Sequence, residues 1–217
     1  MTDVVADDGV PARLDELGLT ADVLSRVLER ADAEATATTE LDPPTIEGIL
    51  RYGKAVRFLR EELVPQGWTF SNARNYCTTV HPDGALAIVP SSGDEYTGVW
   101  VPGQSPTTKY PKGETTARVV RMNGQGVLDL DLGEALEEPA VWAPESVWYL
   151  LYRVADGRIF LELSFPTAID GGVISSWRER IILPPIDRQP LPYIDESWSG
   201  PSDDSDDDRY DVSVAPR

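Results

Sequence analysis

The chain has 217 residues, enough for one domain with appendages or two small domains. Its 37 acidic residues against 19 basic ones give a net charge of −18, and phosphate and anionic membrane repel such a chain at long range. Direct nucleic-acid binding is therefore disfavoured, and the natural partners are basic protein surfaces or further copies of the chain. The single cysteine, Cys77, excludes an internal disulfide and suits a reducing compartment. The first 30 residues lack the basic start and apolar core of a signal peptide, and no apolar run is long enough to span a bilayer, so a cytoplasmic protein without membrane contact is expected.

Taken in order, residues 1–9 are acidic and without apolar pattern, and a frayed start is expected. Thr20 caps a predicted helix that carries Val23, Leu24, Val27, Leu28 and Ala31 on one face; the Ala/Thr-rich run 31–39 reads as its frayed end and a linker. Leu41-Asp42-Pro43-Pro44 announces a second helix over 44–63 with Ile46, Ile49, Leu50, Val56, Leu59 and Leu63 as its apolar stripe. Gly48 and Gly53 weaken this helix and permit close approach of another backbone. Glu47–Arg51 and Arg57–Glu61 are spaced for intrahelical pairs. Left unpaired, Arg51, Lys54 and Arg57 would form a basic stripe able to receive an acidic segment.

Strands are predicted after Trp68. Residues 76–80 and 85–89 flank His81-Pro82-Asp83-Gly84, whose proline and glycine suit a type I turn in a hairpin. Ser91–Gly98 reads as a loop over a sheet edge; Asp94 and Glu95 make it a poor phosphate cradle. A Pro-rich connection covers 102–112, the alternation over 115–122 predicts a strand, and Asn123-Gly124-Gln125-Gly126 predicts a turn. Residues 127–132 alternate apolar and acidic, which fits either an edge strand or a short helix. Residues 146–183 predict an antiparallel meander, with hairpin turns at Asp156-Gly157 and Asp170-Gly171-Gly172. In its third strand Trp177 and Ile181 share one face, and Arg178 and Arg180 the other.

The fold class expected is α+β: N-terminal helices, then a mainly antiparallel β-sheet body, then a disordered acidic tail. The organisation expected is a helix and linker over 1–42, the body over 43–188, and a Pro/Asp/Ser-rich tail over 189–217.

Catalytic signals are sparse. His81 is the only histidine, and its spacing from Cys77 allows a Cys–His nucleophile pair; an exposed turn histidine and a buried strand cysteine are the simpler expectation. Zinc held by Cys and His is nearly excluded, because these two residues cannot supply four ligands. Asp156 and Glu162 approach the layout of a metal-dependent nuclease, but Ser164 stands where that chemistry needs lysine. Asp129, Asp131, Glu134, Glu137 and Glu138 form a second acidic group. Lys109-Tyr110 and Trp177–Arg180 are small basic–aromatic spots of the kind that decorate sheets. No cofactor is expected.

The densest signal lies in the tail. Trp198, Asp203, Asp204, Asp206, Asp207, Asp208 and Tyr210 set two aromatics within a run of like charge, a pattern that a plain solvating tail does not need. These seven residues are the expected partner-binding set. The function expected is a non-enzymatic accessory or adaptor protein, of the kind carried by phages and other mobile elements, that binds a protein partner with help from the tail. A carboxylate-based metal hydrolase and a structural assembly protein are the alternatives.

Overall fold

A computed structural model describes residues 2–125 and 144–188. The elements run β1 (Asp3–Val5), α1 (Val10–Glu16), α2 (Ala21–Ala35), α3 (Ile46–Leu63), β2 (Thr69–Ser71), β3 (Thr78–Val80), β4 (Ala87–Ser92), α4 (Glu114–Gln125), β5 (Val147–Ala155), β6 (Arg158–Asp170), β7 (Val173–Ile182) and β8 (Ile186–Asp187). One sheet orders them β1-β7-β6-β5-β4-β3-β2, with β8 paired to β6. The class is α+β, but the sheet is mixed: β1 runs parallel to β7 and β4 parallel to β5, and the other pairs are antiparallel.

The meander is present as β5-β6-β7, and the hairpin turn at Asp156-Gly157 puts both residues at positive φ (50° and 70°). The turn after β3 closes with the Gly84 N–H donating to the His81 carbonyl at 2.9 Å, and Ala85 N donates to Asp83 Oδ1 at 2.8 Å. Thr20 caps α2 by accepting from Val23 N at 3.3 Å. The helix outlasts its expected end: Ala31 and Ala35 are fully buried, so a small-residue segment reads as linker by composition yet packs as helix.

Two cores flank the sheet. On the first face α1, α2 and α3 lay Leu14, Leu24, Leu28, Phe58, Leu59 and Leu63 against Ile88, Leu150, Leu161, Leu163 and Ile181. On the second face α4 brings Val120 onto Val89, Val147, Tyr149, Leu151 and Ile174. Alternation along the strands divides the two sets.

Several expectations give way. Residues 3–5 are not frayed; they pair with Glu179–Ile181, and Thr2 Oγ1 donates to the Trp177 carbonyl at 2.8 Å. Residues 115–122 form α4, not a strand. Ala117 and Val120 bury themselves at helical spacing, and this packing overrides the β-branched bias of Thr115, Thr116, Val119 and Val120. Asn123 and Gly124 belong to the same helix and do not turn the chain. The Asn123 amide donates to the carbonyls of Val147 (2.7 Å) and Pro166 (3.3 Å) and accepts from Val147 N. Gly124 admits the Thr167 carbonyl, which would lie 2.5 Å from a Cβ there. Trp177 and Ile181 do not share a face: register shifts around Pro166 turn Trp177 into the second core and leave Ile181 in the first. Ile49 lies on the expected stripe but is not buried with it: it is 60 % exposed. Residues 127–132 and the acidic set Asp129–Glu138 lie outside the described residues.

Candidate protein-binding loop

Beyond α4 the second face of the sheet carries charge. Glu162 and Arg180, on adjacent strands, are 0 % and 1 % exposed. Arg180 donates through Nη2 to Glu162 Oε2 at 2.6 Å and through Nε to Oε1 at 3.0 Å. Ser164 Oγ donates to Oε1 at 2.7 Å. Desolvating two ions is tolerable only if their remaining hydrogen-bonding capacity is also met, and here the loop between β4 and α4 meets it. Gly98 N donates to Glu162 Oε2 at 2.9 Å, and Arg180 Nη2 donates to the carbonyls of Tyr96 (3.2 Å) and Val99 (3.0 Å). Arg153 adds a bond to the Thr97 carbonyl at 3.1 Å. Gly98 has φ +70°, and a Cβ there would lie 2.6 Å from Leu161 N, so only glycine lets the loop sit this close to β6.

The rest of the loop is tied down as firmly. Asp94 accepts from Tyr96 N (3.1 Å), Thr107 N (2.8 Å) and Thr107 Oγ1 (2.8 Å), closing the loop across its base. Trp177 Nε1 donates to the Pro106 carbonyl at 2.7 Å. Thr108 exchanges two bonds with Ile174, and Lys109 N donates to the Ser92 carbonyl at 3.0 Å. At the exit Lys112 Nζ donates to the buried Ser91 Oγ at 2.7 Å, and burial lowers the lysine pKa. Between these anchors the tip faces outward: Trp100 is 62 % exposed and Val101 39 %, followed by Pro102 and by Gly103 at φ +77°. Tyr110, under the Lys109 ammonium at 5.6 Å, is 58 % exposed.

The other sequence candidates land elsewhere. Glu162 is the clamp just described, with both carboxylate oxygens occupied. Asp156 sits in the β5–β6 turn, and Glu162 lies on the order of 13 Å along β6 from the strand's start, so the two do not converge. Asp94 spends its carboxylate on the loop itself. Among the described residues no group of three or more His, Cys, Asp and Glu side chains is placed to hold a metal ion. His81 and Cys77 engage different partners. His81 bonds to Asp83 and meets Trp68 edge-on at 4.9 Å, and it is half-buried rather than exposed. Cys77 lies just outside β3 and is half-buried rather than buried. Its partner is Tyr52, whose phenol is pushed up to about 12 by burial and by Cys77.

The would-be basic stripe is neutralised: Arg51 pairs with Asp32 and Glu47, Lys54 with Glu34, and Arg57 with Glu61. Trp198, Asp203, Asp204, Asp206, Asp207, Asp208 and Tyr210 lie outside the described residues.

Periodicity did not reveal the Trp100 tip. What joins the loop predicted over Ser91–Gly98 to the basic–aromatic spot Trp177–Arg180 is the Arg180 side chain, through the Tyr96 and Val99 carbonyls. No protein-family model matches the chain, and neither the curated proteins nor the solved structures contain a match to it.

Proposed function

We propose that the protein is a binding module whose loop between Gly93 and Lys112 presents Trp100 and Val101 to a protein partner, with the acidic tail adding contact to a basic part of that partner's surface. The observation that carries this reading is an exposed tryptophan on a loop whose base is fixed by buried charges. Aromatic anchors held rigidly lose little conformational entropy on binding, and tryptophan leads among residues that dominate interfaces. Among the described residues the Trp100 ring makes no hydrogen bond and no ring contact. The tail's net negative charge raises the rate of encounter with a basic surface and makes that rate salt-dependent.

The test is affinity capture with the full chain, its Trp100→Ala variant and a variant lacking residues 195–217. A partner retained by the parent should be lost with Trp100→Ala at unchanged melting temperature. It should be held less tightly, and with weaker salt dependence, when the tail is removed. Equal capture by parent and Trp100→Ala would end the reading.

A further inference from the structure

The apolar side of α3 continues past the body that covers it. In the C-terminal half of the helix this side is buried, with Val56, Leu59 and Leu63 at 7 %, 0 % and 1 % exposure. One and two turns earlier Gly48, Ile49, Tyr52 and Gly53 are exposed, as is Thr45 before the first turn. Gly48 and Gly53 have nothing within 4 Å of where a Cβ would stand, and neither has positive φ. Glycine weakens a helix interior, and no contact or backbone conformation in the described molecule calls for it at these two places. What the glycines provide is a bare backbone that another chain can approach closely. The charges bordering this surface are largely engaged elsewhere: Arg51 and Lys54 by Asp32 and Glu34 of α2, Glu47 by Arg51 and Arg188, and Arg57 by Glu61, while Arg60 lies near Tyr52.

The described chain ends beside this surface. Arg188 Nε bonds to Asp32 of α2 at 2.7 Å, and its Nη2 lies 3.8 Å from Glu47 in the first turn of α3. The residues that follow are Gln189-Pro190-Leu191-Pro192-Tyr193-Ile194, uncharged, with three large apolar side chains before the first acid at Asp195. Half the circumference of a helix is about 16–19 Å, and five or six extended residues span about that distance.

We propose that residues 189–194 dock across the exposed face of α3, with Leu191, Tyr193 and Ile194 against Ile49 and Tyr52 and with the backbone passing over Gly48 and Gly53. Proline restricts its own backbone and that of the residue before it, so docking a segment with two prolines costs less ordering than docking one without them. The segment and the helix belong to one chain, so a short link raises their effective concentration and modest contacts suffice. The docked segment also sets the point from which the acidic run departs. The inference does not depend on the Trp100 reading, and each can fail alone.

Cys77 serves as a built-in reporter: it is the only cysteine and it contacts Tyr52 on this face. In the full chain, Asp195→Cys should oxidise to an intramolecular disulfide with Cys77 about tenfold faster than Ser213→Cys. Adding Ile49→Asp, a change at an exposed position, should remove that advantage without altering the melting temperature. Independently, hydrogen exchange of residues 46–53 should quicken several-fold when Leu191→Asp and Tyr193→Asp are combined. Equal oxidation rates for the two cysteine variants, insensitivity to Ile49→Asp, or unchanged exchange would overturn the proposal. A disulfide-linked dimer as the main product would overturn it in favour of a second copy on this face.

Discussion

The two faces of the sheet are covered by different means. On the first, three helices bring apolar stripes to Ile88, Leu150, Leu161 and Ile181, and burial dominates the contact, with the Arg13–Glu179 ion pair of α1 and β7 at its margin. On the second, beyond α4, a loop provides the cover. A loop without helical period has no apolar stripe to offer; it offers carbonyls and N–H groups. The sheet answers with Arg180 for the carbonyls of Tyr96 and Val99, and with Glu162 for Gly98 N. Charge here sets where the loop lies more than how stable the fold is, since a buried ion pair rarely outperforms an apolar one of equal volume.

That distinction can be broken experimentally. The largest effect belongs to Glu162→Ala, which leaves Arg180 buried without its carboxylate; a loss of about 3–5 kcal/mol is expected in urea unfolding. Changing Glu162 and Arg180 together to Met should cost much less globally while amide exchange over residues 93–100 accelerates. If the double variant is as unstable as the single one, the pair is a stability device and the contrast between faces collapses. On the helical face Leu59→Ala, at a fully buried site, should cost about 2–5 kcal/mol and leave exchange in the loop unchanged.

A third effect is alkaline. Burial pushes the Tyr149 phenol up to about 12, and Tyr76, bonded to it at 2.9 Å, is raised well above its usual value, chiefly by burial. A folded-state pKa above the unfolded one favours the protonated form, so this stability is complete below about pH 10 and declines as pH rises from about 10 toward 12. Tyr149→Phe should flatten the fall in melting temperature across that window and should lose about 1 kcal/mol at neutral pH with the hydrogen bond. The smallest effect is at the loop tip: Trp100→Ala should change unfolding stability by no more than about 0.5 kcal/mol.

The same contrast explains what could be read from the sequence. The 3.6-residue spacing in α2 and α3 and the placing of Ile159, Leu161, Leu163 and Phe165 on one face each follow from one local period, and all three elements form. The α4 segment misled because its β-branched residues mimic a strand, and only the waiting apolar face of β4 and β5 makes it helical. Asn123-Gly124 carries the chemistry of a turn, yet here the amide serves as a surrogate strand partner. Glu162 could be placed on the polar side of its strand, but nothing local says that a loop some 64 residues earlier covers that side. The Trp100 tip is a consequence of that long-range clamp and inherits its obscurity.

The parallel pairing of Asp3–Val5 with Glu179–Ile181 also bears on how the molecule meets its own kind. β7 is ten residues long, and without β1 its outer row of N–H and carbonyl groups would be an open template for strands of other molecules. Three residues cover the C-terminal part of that row, at Glu179–Ile181, and their own free side is too short to propagate pairing. Asp3 adds a charge at the margin. These three residues thus act as edge insulation over that stretch, and displacing them would lengthen the row of β7 groups open to another strand.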